Sequence, residues 1–157
     1  MELREKIGLY GWRSKHFVWS EALWLPRWNM FYQEPNQVEV QKIVGLCFTL
    51  DKVRDYVGVP FNVTSWIRPT IEGKGDYNAL IGGARLSMHR EGAAVDFVPQ
   101  GKTVDATLAM LFPKLEYFGL RAENNGESKG RAWVHLDTLF LPPGAPRVVG
   151  VGSSRPK

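Results

Sequence analysis

The residues with the most chemistry in this sequence are its histidines and the aspartates near them. His89 precedes Asp96 by seven positions, and His135 precedes Asp137 by two. Two imidazoles and one carboxylate suit Zn²⁺, which in catalytic sites keeps a fourth position for water, and zinc lowers the pKa of such a water to about 7. Either spacing taken alone indicates a hydrogen-bonded His–Asp pair more often than a metal site. Both interpretations therefore stay open at this point.

A second class of metal site is disfavoured by the order of the residues. Fe(II) oxygenases use His-x-Asp followed by a distant histidine. His135 and Asp137 have this spacing, but the other histidines, His16 and His89, both precede them. We interpret His16 as uninvolved in the chemistry and Cys47 as a small core residue.

Three predicted strands would position the candidate ligands. The strands cover residues 61–67, 93–98 and 131–140, which are rich in β-branched and aromatic residues. Side chains alternate between the faces of a strand, so Asp96 and His135 can share a polar face while their apolar neighbours turn towards a core. His89 would reach this face from the preceding loop, where the small residues 92–94 allow a close approach.

Helices are predicted on either side of these strands. Apolar residues at steps of three and four predict an amphipathic helix over residues 36–57, which Gly58 ends. Thr103 can cap a second helix over residues 104–112. Helices interspersed with strands at hairpin spacing predict an α+β fold, with a small, mainly antiparallel sheet and flanking helices.

The chain has the length and composition of one globular domain. It has 157 residues, of which 44% are hydrophobic and 23% charged. We predict an aromatic-rich N-terminal arm over residues 1–35, a main domain over 36–140 and a Pro/Gly-rich tail over 141–157. The rings of the arm either form a sugar-binding platform or pack on the domain, and we favour packing.

Charge and hydropathy restrict the possible partners and location. Twenty Lys and Arg oppose sixteen Asp and Glu, but the basic residues are scattered, so we expect no nucleic-acid partner. No apolar run is long enough for a signal peptide or a membrane span, so we expect no membrane partner and synthesis in the cytoplasm without a signal peptide. We also expect a monomer.

Four segments together resemble a known family. They are T-S-W-I-R (64–68), Y-N-A-L-I-G-G-A (77–84), S-M-H-R-E-G-A-A-V-D-F (87–97) and W-V-H-L-D (133–137). They resemble the zinc peptidases of the D-Ala-D-Ala carboxypeptidase group. This group includes phage L-alanyl-D-glutamate endolysins and murein endopeptidases, and shares its zinc motif with the hedgehog signalling domain. The resemblance covers about residues 36–140 and implies a hedgehog- or DD-peptidase-like fold.

The resemblance implies roles for individual residues. The matching positions for the zinc ligands are His89, Asp96 and His135. Arg68 would face the substrate cleft, where a guanidinium can hold a peptide carboxylate or a developing oxyanion. Further candidates for substrate binding are Ser87, Tyr77 and Trp133, although Ser87 can equally be a turn residue and the two aromatic rings can simply pack.

The general base is the point at which the sequence departs from the family. Several members have Glu or Asp three residues before the last histidine, and this chain has Ala132. Asp137 is the nearest substitute, either as the proton acceptor or as a partner that fixes the ring of His135; we favour the second or a mixed role. Glu123 and Glu127 are weaker candidates for the base, and we favour their interpretation as solvated loop carboxylates.

A second departure lies just before Arg68. Trp66 and Ile67 replace a Gly–aromatic pair that is common there in the family, so the resemblance does not give the shape of that substrate subsite.

The resemblance implies a zinc-dependent peptidase that hydrolyses an amide bond in peptidoglycan stem peptides or cross-links. Together with the expected lack of a signal peptide, it suggests a phage or prophage lysin that acts after holin release or as a virion component. The alternative is a non-catalytic, zinc-containing module that binds the cell wall or has a structural role, and Ala132 is its best support.

Overall fold

The computed structural model describes residues 14–124 and 126–150. The first elements are helix α1 (Trp19–Leu23), the hairpin of β1 (Trp24–Leu25) and β2 (Met30–Phe31), and the long helix α2 (Gln37–Val57). Then come β3 (Phe61–Ser65), the hairpin of β4 (Thr70–Ile71) and β5 (Gly75–Asp76), and the one-turn helix α3 (Tyr77–Leu80). The remaining elements are β6 (Ala94–Pro99), α4 (Val104–Leu111), α5 (Leu115–Phe118), β7 (Arg121–Glu123), β8 (Val134–Asp137) and β9 (Val148–Val149).

The largest sheet has the strand order β3-β6-β8-β7-β9. All neighbouring strands in it are antiparallel except β7 and β9, which are parallel. The predicted α+β class with a mainly antiparallel sheet and flanking helices is therefore confirmed. No helix in the described part of the chain is long and apolar enough to cross a membrane.

Helix α2 has the boundaries that its sequence predicts. The side chain of Asn36 accepts a hydrogen bond from the backbone N–H of Glu39 (3.0 Å), and the Glu39 carboxylate accepts one from the backbone N–H of Asn36 (2.8 Å). This reciprocal capping satisfies two donors that the helix itself cannot pair. Gly58 ends the helix at φ 79°, a conformation that favours glycine.

The main core lies between one face of the large sheet and helices α2 and α4. The sheet contributes Val95, Phe97, Val134 and Leu136, which alternate with polar residues of the opposite face. Phe17, Ala22 and Leu23 from the N-terminal segment belong to the same core.

The other N-terminal rings divide between packing and exposure. Trp19 packs against the core at partial burial, whereas Trp24 and Phe31 are 36% and 44% exposed and contact each other at 4.9 Å between ring centroids. Trp12 lies outside the described residues.

Several short elements differ from the sequence prediction. Strand β3 ends at Ser65, two residues before the predicted end, and its register with β6 shifts between Val63 and Ser65. Strand β8 covers four residues of the ten predicted. Strand β7 and the β4–β5 hairpin were not predicted, and β9 forms within a segment that we expected to be an irregular tail.

Candidate metal centre

Three side chains from different parts of the sequence converge at one point. His89 comes from a 3₁₀ turn (Met88–Glu91), Asp96 from the middle of β6 and His135 from β8, where it pairs directly with Asp96. His89 Nε2 lies 3.2 Å from Asp96 Oδ1 and 3.3 Å from His135 Nδ1, and the Asp96 Oδ1–His135 Nδ1 distance is 2.7 Å. All three residues are buried. The sequence prediction of a common face for Asp96 and His135 is thus met by the sheet register.

The hydrogen bonds behind the two rings decide which nitrogen faces the centre. His89 Nδ1 lies 2.6 Å from the backbone oxygen of Trp66, which can only accept, so Nδ1 carries the proton. His135 Nε2 lies 3.1 Å from a carboxylate oxygen of Asp137 and by the same reasoning carries a proton. A neutral form of each ring therefore presents a lone pair to Asp96 Oδ1.

This donor set fits a zinc ion. Two lone pairs and a carboxylate oxygen repel one another unless a cation lies between them. Zinc–nitrogen and zinc–oxygen bonds of about 2.0–2.1 Å in a tetrahedron separate neighbouring ligand atoms by about 3.3 Å. Both distances from His89 Nε2 are close to that value, and the Asp96–His135 distance needs to lengthen by about half an ångström.

The electrostatics of the site favour positive charge between these groups. Burial lowers the pKa of His135, but hydrogen bonds with Asp137 and Asp96 outweigh burial and raise it to about 10. Burial would raise the pKa of Asp96, yet the two histidines hold it well below its usual range. Burial lowers the pKa of His89. A proton on His135 Nδ1 and a metal ion would therefore occupy the same position beside Asp96.

Asp137 lies behind His135 rather than beside the metal position. It is 1% exposed, and both of its oxygens lie 3.1 Å from Arg121 Nε, with Oδ2 also 2.8 Å from Arg121 Nη2. It also accepts a hydrogen bond from the backbone N–H of Leu139. Burial would raise its pKa, but His135 and Arg121 lower it. Of the two roles predicted for Asp137, this geometry fits the one that fixes the histidine ring and does not fit the proton acceptor.

Three hydrogen bonds hold Arg68, two of them to candidate ligands of the metal centre. Its backbone N–H donates to the backbone oxygen of His89 (2.8 Å), Nη2 donates to Asp96 Oδ2 (2.6 Å), and Nε donates to Ser65 Oγ (2.9 Å). Burial lowers its pKa, while the nearby carboxylates oppose this. The guanidinium lies in the wall of a cleft of about 290 Å³, at whose floor are the three candidate ligands.

Of the other three predicted substrate-binding residues, two line the cleft and one does not. Ser87 lines the cleft, and its Oγ accepts a hydrogen bond from the backbone N–H of His89 at 3.3 Å. Trp133 also lines the cleft, with the Arg131 guanidinium 5.1 Å from its ring centroid. Tyr77 is 2% exposed and does not line the cleft. Its hydroxyl accepts a hydrogen bond from the backbone N–H of Arg27, so the packing alternative describes Tyr77.

Trp66 and Ile67, which replace the Gly–aromatic pair of the family, lie in the core and do not line the cleft. Both are 1% exposed and belong to the main core. The Trp66 indole donates to the backbone oxygen of Gly92 (3.0 Å), and its own backbone oxygen orients His89. Gly92 has φ 77°, and a Cβ there would lie 2.5 Å from Ile43 Cγ1. The close approach that the sequence predicts for this loop therefore requires glycine.

Two residues, Arg121 and Glu127, have contacts that the sequence did not reveal. Arg121 on β7 was not predicted, because a three-residue strand gives too short an alternation to recognise. Glu127 accepts hydrogen bonds from the backbone N–H groups of Val104 and Asp105 at the start of α4, so it is engaged away from the metal centre. Glu123, in contrast, lines the cleft at partial burial.

The fold and the centre together define a class of protein. A buried His–Asp–His set on the polar face of a small antiparallel sheet, open to a cleft with an arginine in its wall, is suited to metal-dependent hydrolysis.

Comparison with known proteins gives the family. The sequence model of Peptidase M15 matches residues 28–137, well over half of the chain, so the chain belongs to the Peptidase M15 family of zinc-dependent peptidases. No curated protein and no solved structure matches it.

Proposed function

We propose that this chain hydrolyses an amide bond in the stem peptides or cross-links of bacterial peptidoglycan. One observation carries the proposal: His89 Nε2, Asp96 Oδ1 and His135 Nδ1 converge at the floor of a cleft whose wall contains Arg68, in a chain of the M15 family.

Different residues of the chain would bind the zinc ion and stabilise the developing negative charge. Zinc bound by His89, Asp96 and His135 would polarise the amide carbonyl and lower the pKa of the attacking water. Arg68, held by Ser65 and Asp96, donates to the oxygen on which negative charge develops.

A supporting set of residues fixes the ligands in place. Asp137 and the backbone oxygen of Trp66 hold the two histidine rings, and Arg121 holds Asp137. The fixed rings reduce the reorganisation needed when the metal binds.

The walls of the cleft suit a stem peptide. Such peptides combine small D-residues with free carboxylates. Gly82, Gly83 and Ala84 line one side and leave room for small side chains. Arg131 lies over the Trp133 ring in the cleft wall, where it can pair with a substrate carboxylate.

The test is mass spectrometry of the fragments that zinc-loaded protein releases from purified sacculi, compared with a chelated sample and with Asp96→Ala. We expect new peptide termini that identify the bond and that are absent from both controls, because Asp96→Ala removes a ligand and should abolish zinc retention. Full cleavage by Asp96→Ala would overturn the site assignment.

A non-catalytic, zinc-containing cell-wall module is the second candidate. Ala132, in place of the acidic residue that several related peptidases have, favours it. Bound zinc and tight binding to sacculi, without release of fragments from any peptidoglycan type, would identify this function.

We also propose a biological role as a phage or prophage lysin, which the resemblance to a group containing phage endolysins supports. Co-expression with a holin in a susceptible host should cause lysis, and Asp96→Ala should not. Lysis that is equal for both chains would contradict this role.

A further inference from the structure

Strand β7 places the carboxylate of Glu123 next to the strand that carries His135, on the side opposite β6. In the register of β7 with β8, Arg121 pairs with Asp137 and Ala122 with Leu136. The next step of that register brings Glu123 opposite His135. Residues two apart on a strand share a face, so Glu123 projects on the same side as Arg121, whose guanidinium contacts Asp137.

Glu123 therefore extends a row that already contains two candidate ligands. Asp96 pairs with His135 across β6 and β8, and Glu123 follows on β7. Directly opposed residues on antiparallel strands have Cβ atoms about 4.5–5.5 Å apart, within reach of a glutamate side chain. Glu123 is half-buried and lines the same cleft as the ligands.

The negative charge of Glu123 acts on both Arg68 and His135. Burial lowers the pKa of Arg68 and opposes protonation of His135, and the negative charge of Glu123 acts against burial at both residues. This agrees with a position within electrostatic range of both residues.

In the described part of the chain, the two other acidic side chains of the cleft serve the ligands themselves. Among the described residues that line it, they are Asp96 and Asp137. Asp96 directs Oδ1 at both histidines and Oδ2 at Arg68. Asp137 is buried behind His135 with both oxygens bonded to Arg121.

We propose that Glu123 is the general base of the hydrolysis and replaces, from the neighbouring strand, the acidic residue that is missing at Ala132. This inference rests on the proposed peptidase function. The water oxygen bonds to the carbonyl carbon while one water proton moves to the Glu123 carboxylate. Glu123 then gives this proton to the amide nitrogen as the C–N bond breaks. The products are a carboxyl group and an amine, and Glu123 returns to its ionised form without a further reactant.

The experiment compares Glu123→Gln, Glu123→Asp and Glu123→Ala with Glu116→Gln. Glu116 is an exposed residue of α5 and serves as the matched control. Turnover and KM are measured on the peptide bond that the wild type cleaves, together with zinc content and affinity for intact sacculi. These last two readouts do not depend on catalysis.

We expect Glu123→Gln to lower kcat by about 10²–10⁴-fold, the usual contribution of a general base, with KM and zinc content close to wild type. Glu123→Asp should recover part of kcat because it keeps a carboxylate, and Glu116→Gln should match wild type. Formate should restore turnover to Glu123→Ala, because it supplies a carboxylate in the space of the missing side chain.

Two results would overturn the assignment. The first is a kcat for Glu123→Gln within tenfold of wild type. The second is a loss of activity that accompanies a loss of bound zinc and that is relieved neither in Glu123→Asp nor by adding formate to Glu123→Ala. The proposed function fails separately. A zinc-loaded wild type that cleaves no peptidoglycan refutes the peptidase itself, whereas a cleaving wild type with an equally active Glu123→Gln refutes only the role of Glu123.

Discussion

Replacing Asp137 by Asn tests whether this carboxylate holds the metal centre from behind. The substitution keeps the size of the side chain but removes its negative charge. It leaves Arg121, which is 4% exposed, as a buried cation without its ionised partner. It also removes the charged acceptor of His135 Nε2–H.

The contacts give the size of the expected effects. Breaking a buried ion pair by removal of one partner costs about 3–5 kcal/mol of unfolding free energy. Loss of a carboxylate behind a ligand histidine weakens metal binding by about 10–100-fold. Asp137→Asn should therefore lower both stability and zinc affinity.

The assays are guanidinium unfolding of the metal-free protein and zinc titration against a competing chelator. Asp55→Asn is the matched control, because Asp55 pairs with Lys15 and His16 at the surface, where solvent screens the interaction. We expect this control to unfold and to bind zinc as the wild type does.

The decisive outcome is zinc affinity compared with turnover. If Asp137→Asn bound zinc like the wild type but no longer cleaved its substrate, Asp137 would be the proton acceptor, and its assignment as a support for His135 would be wrong.

Three further predictions concern the elements around the site. Gly92→Ala should cost more than about 2 kcal/mol of unfolding free energy, because it combines a strained positive φ with a collision with Ile43. Gly101→Ala, with φ 82° and open space around the added Cβ, should show only the loss that comes from the strained φ. Equal losses for the two variants in guanidinium titrations would contradict the collision. Asn36→Ala should destabilise the protein by about 1 kcal/mol through loss of the α2 cap, and an unchanged unfolding midpoint would refute the cap's contribution. Burial raises the pKa of the Cys47 thiol to about 12 and so disfavours the thiolate. At pH 8 a disulfide reagent should therefore modify the folded protein about 30-fold more slowly than the unfolded one; similar rates would show that the thiol is accessible.

The sequence predicts long and regular features of this fold well. The period of α2 extends over 21 residues and ends at clear capping signals, so both its existence and its boundaries could be predicted. The alternation around Asp96 and His135 predicts their shared face because each lies in a strand with strongly apolar neighbours.

Features that depend on tertiary contacts could not be predicted. In a continuous strand, Trp66 and Ile67 would point to opposite faces, but β3 ends at Ser65 and both side chains enter the core. Strand β7 has three residues and forms because β8 and β9 flank it. The alternation in Arg121-Ala122-Glu123 becomes meaningful only with the register of β8 known.

The same limit applies to the acidic residues of the cleft. Asp137, Glu123 and Glu127 all lie near His135 in sequence, yet one supports the histidine ring, one lines the cleft and one caps α4. Sequence distance cannot distinguish these positions, since strand register and loop path separate them.

The hydrogen bond between Ile67 and Ala22 limits where this domain can be joined to another protein in a fusion. The backbone N–H of Ile67, next to Arg68, donates to the backbone oxygen of Ala22 at 3.3 Å. The side chains of Leu23 and Leu25, in the same N-terminal segment, are at most 2% exposed. The family match begins only at residue 28, so its boundary passes through the hydrophobic core. A chimaeric enzyme joined at that boundary would expose apolar surface and free the segment that leads into the cleft arginine. Exchange of the intact unit requires a junction before Phe17.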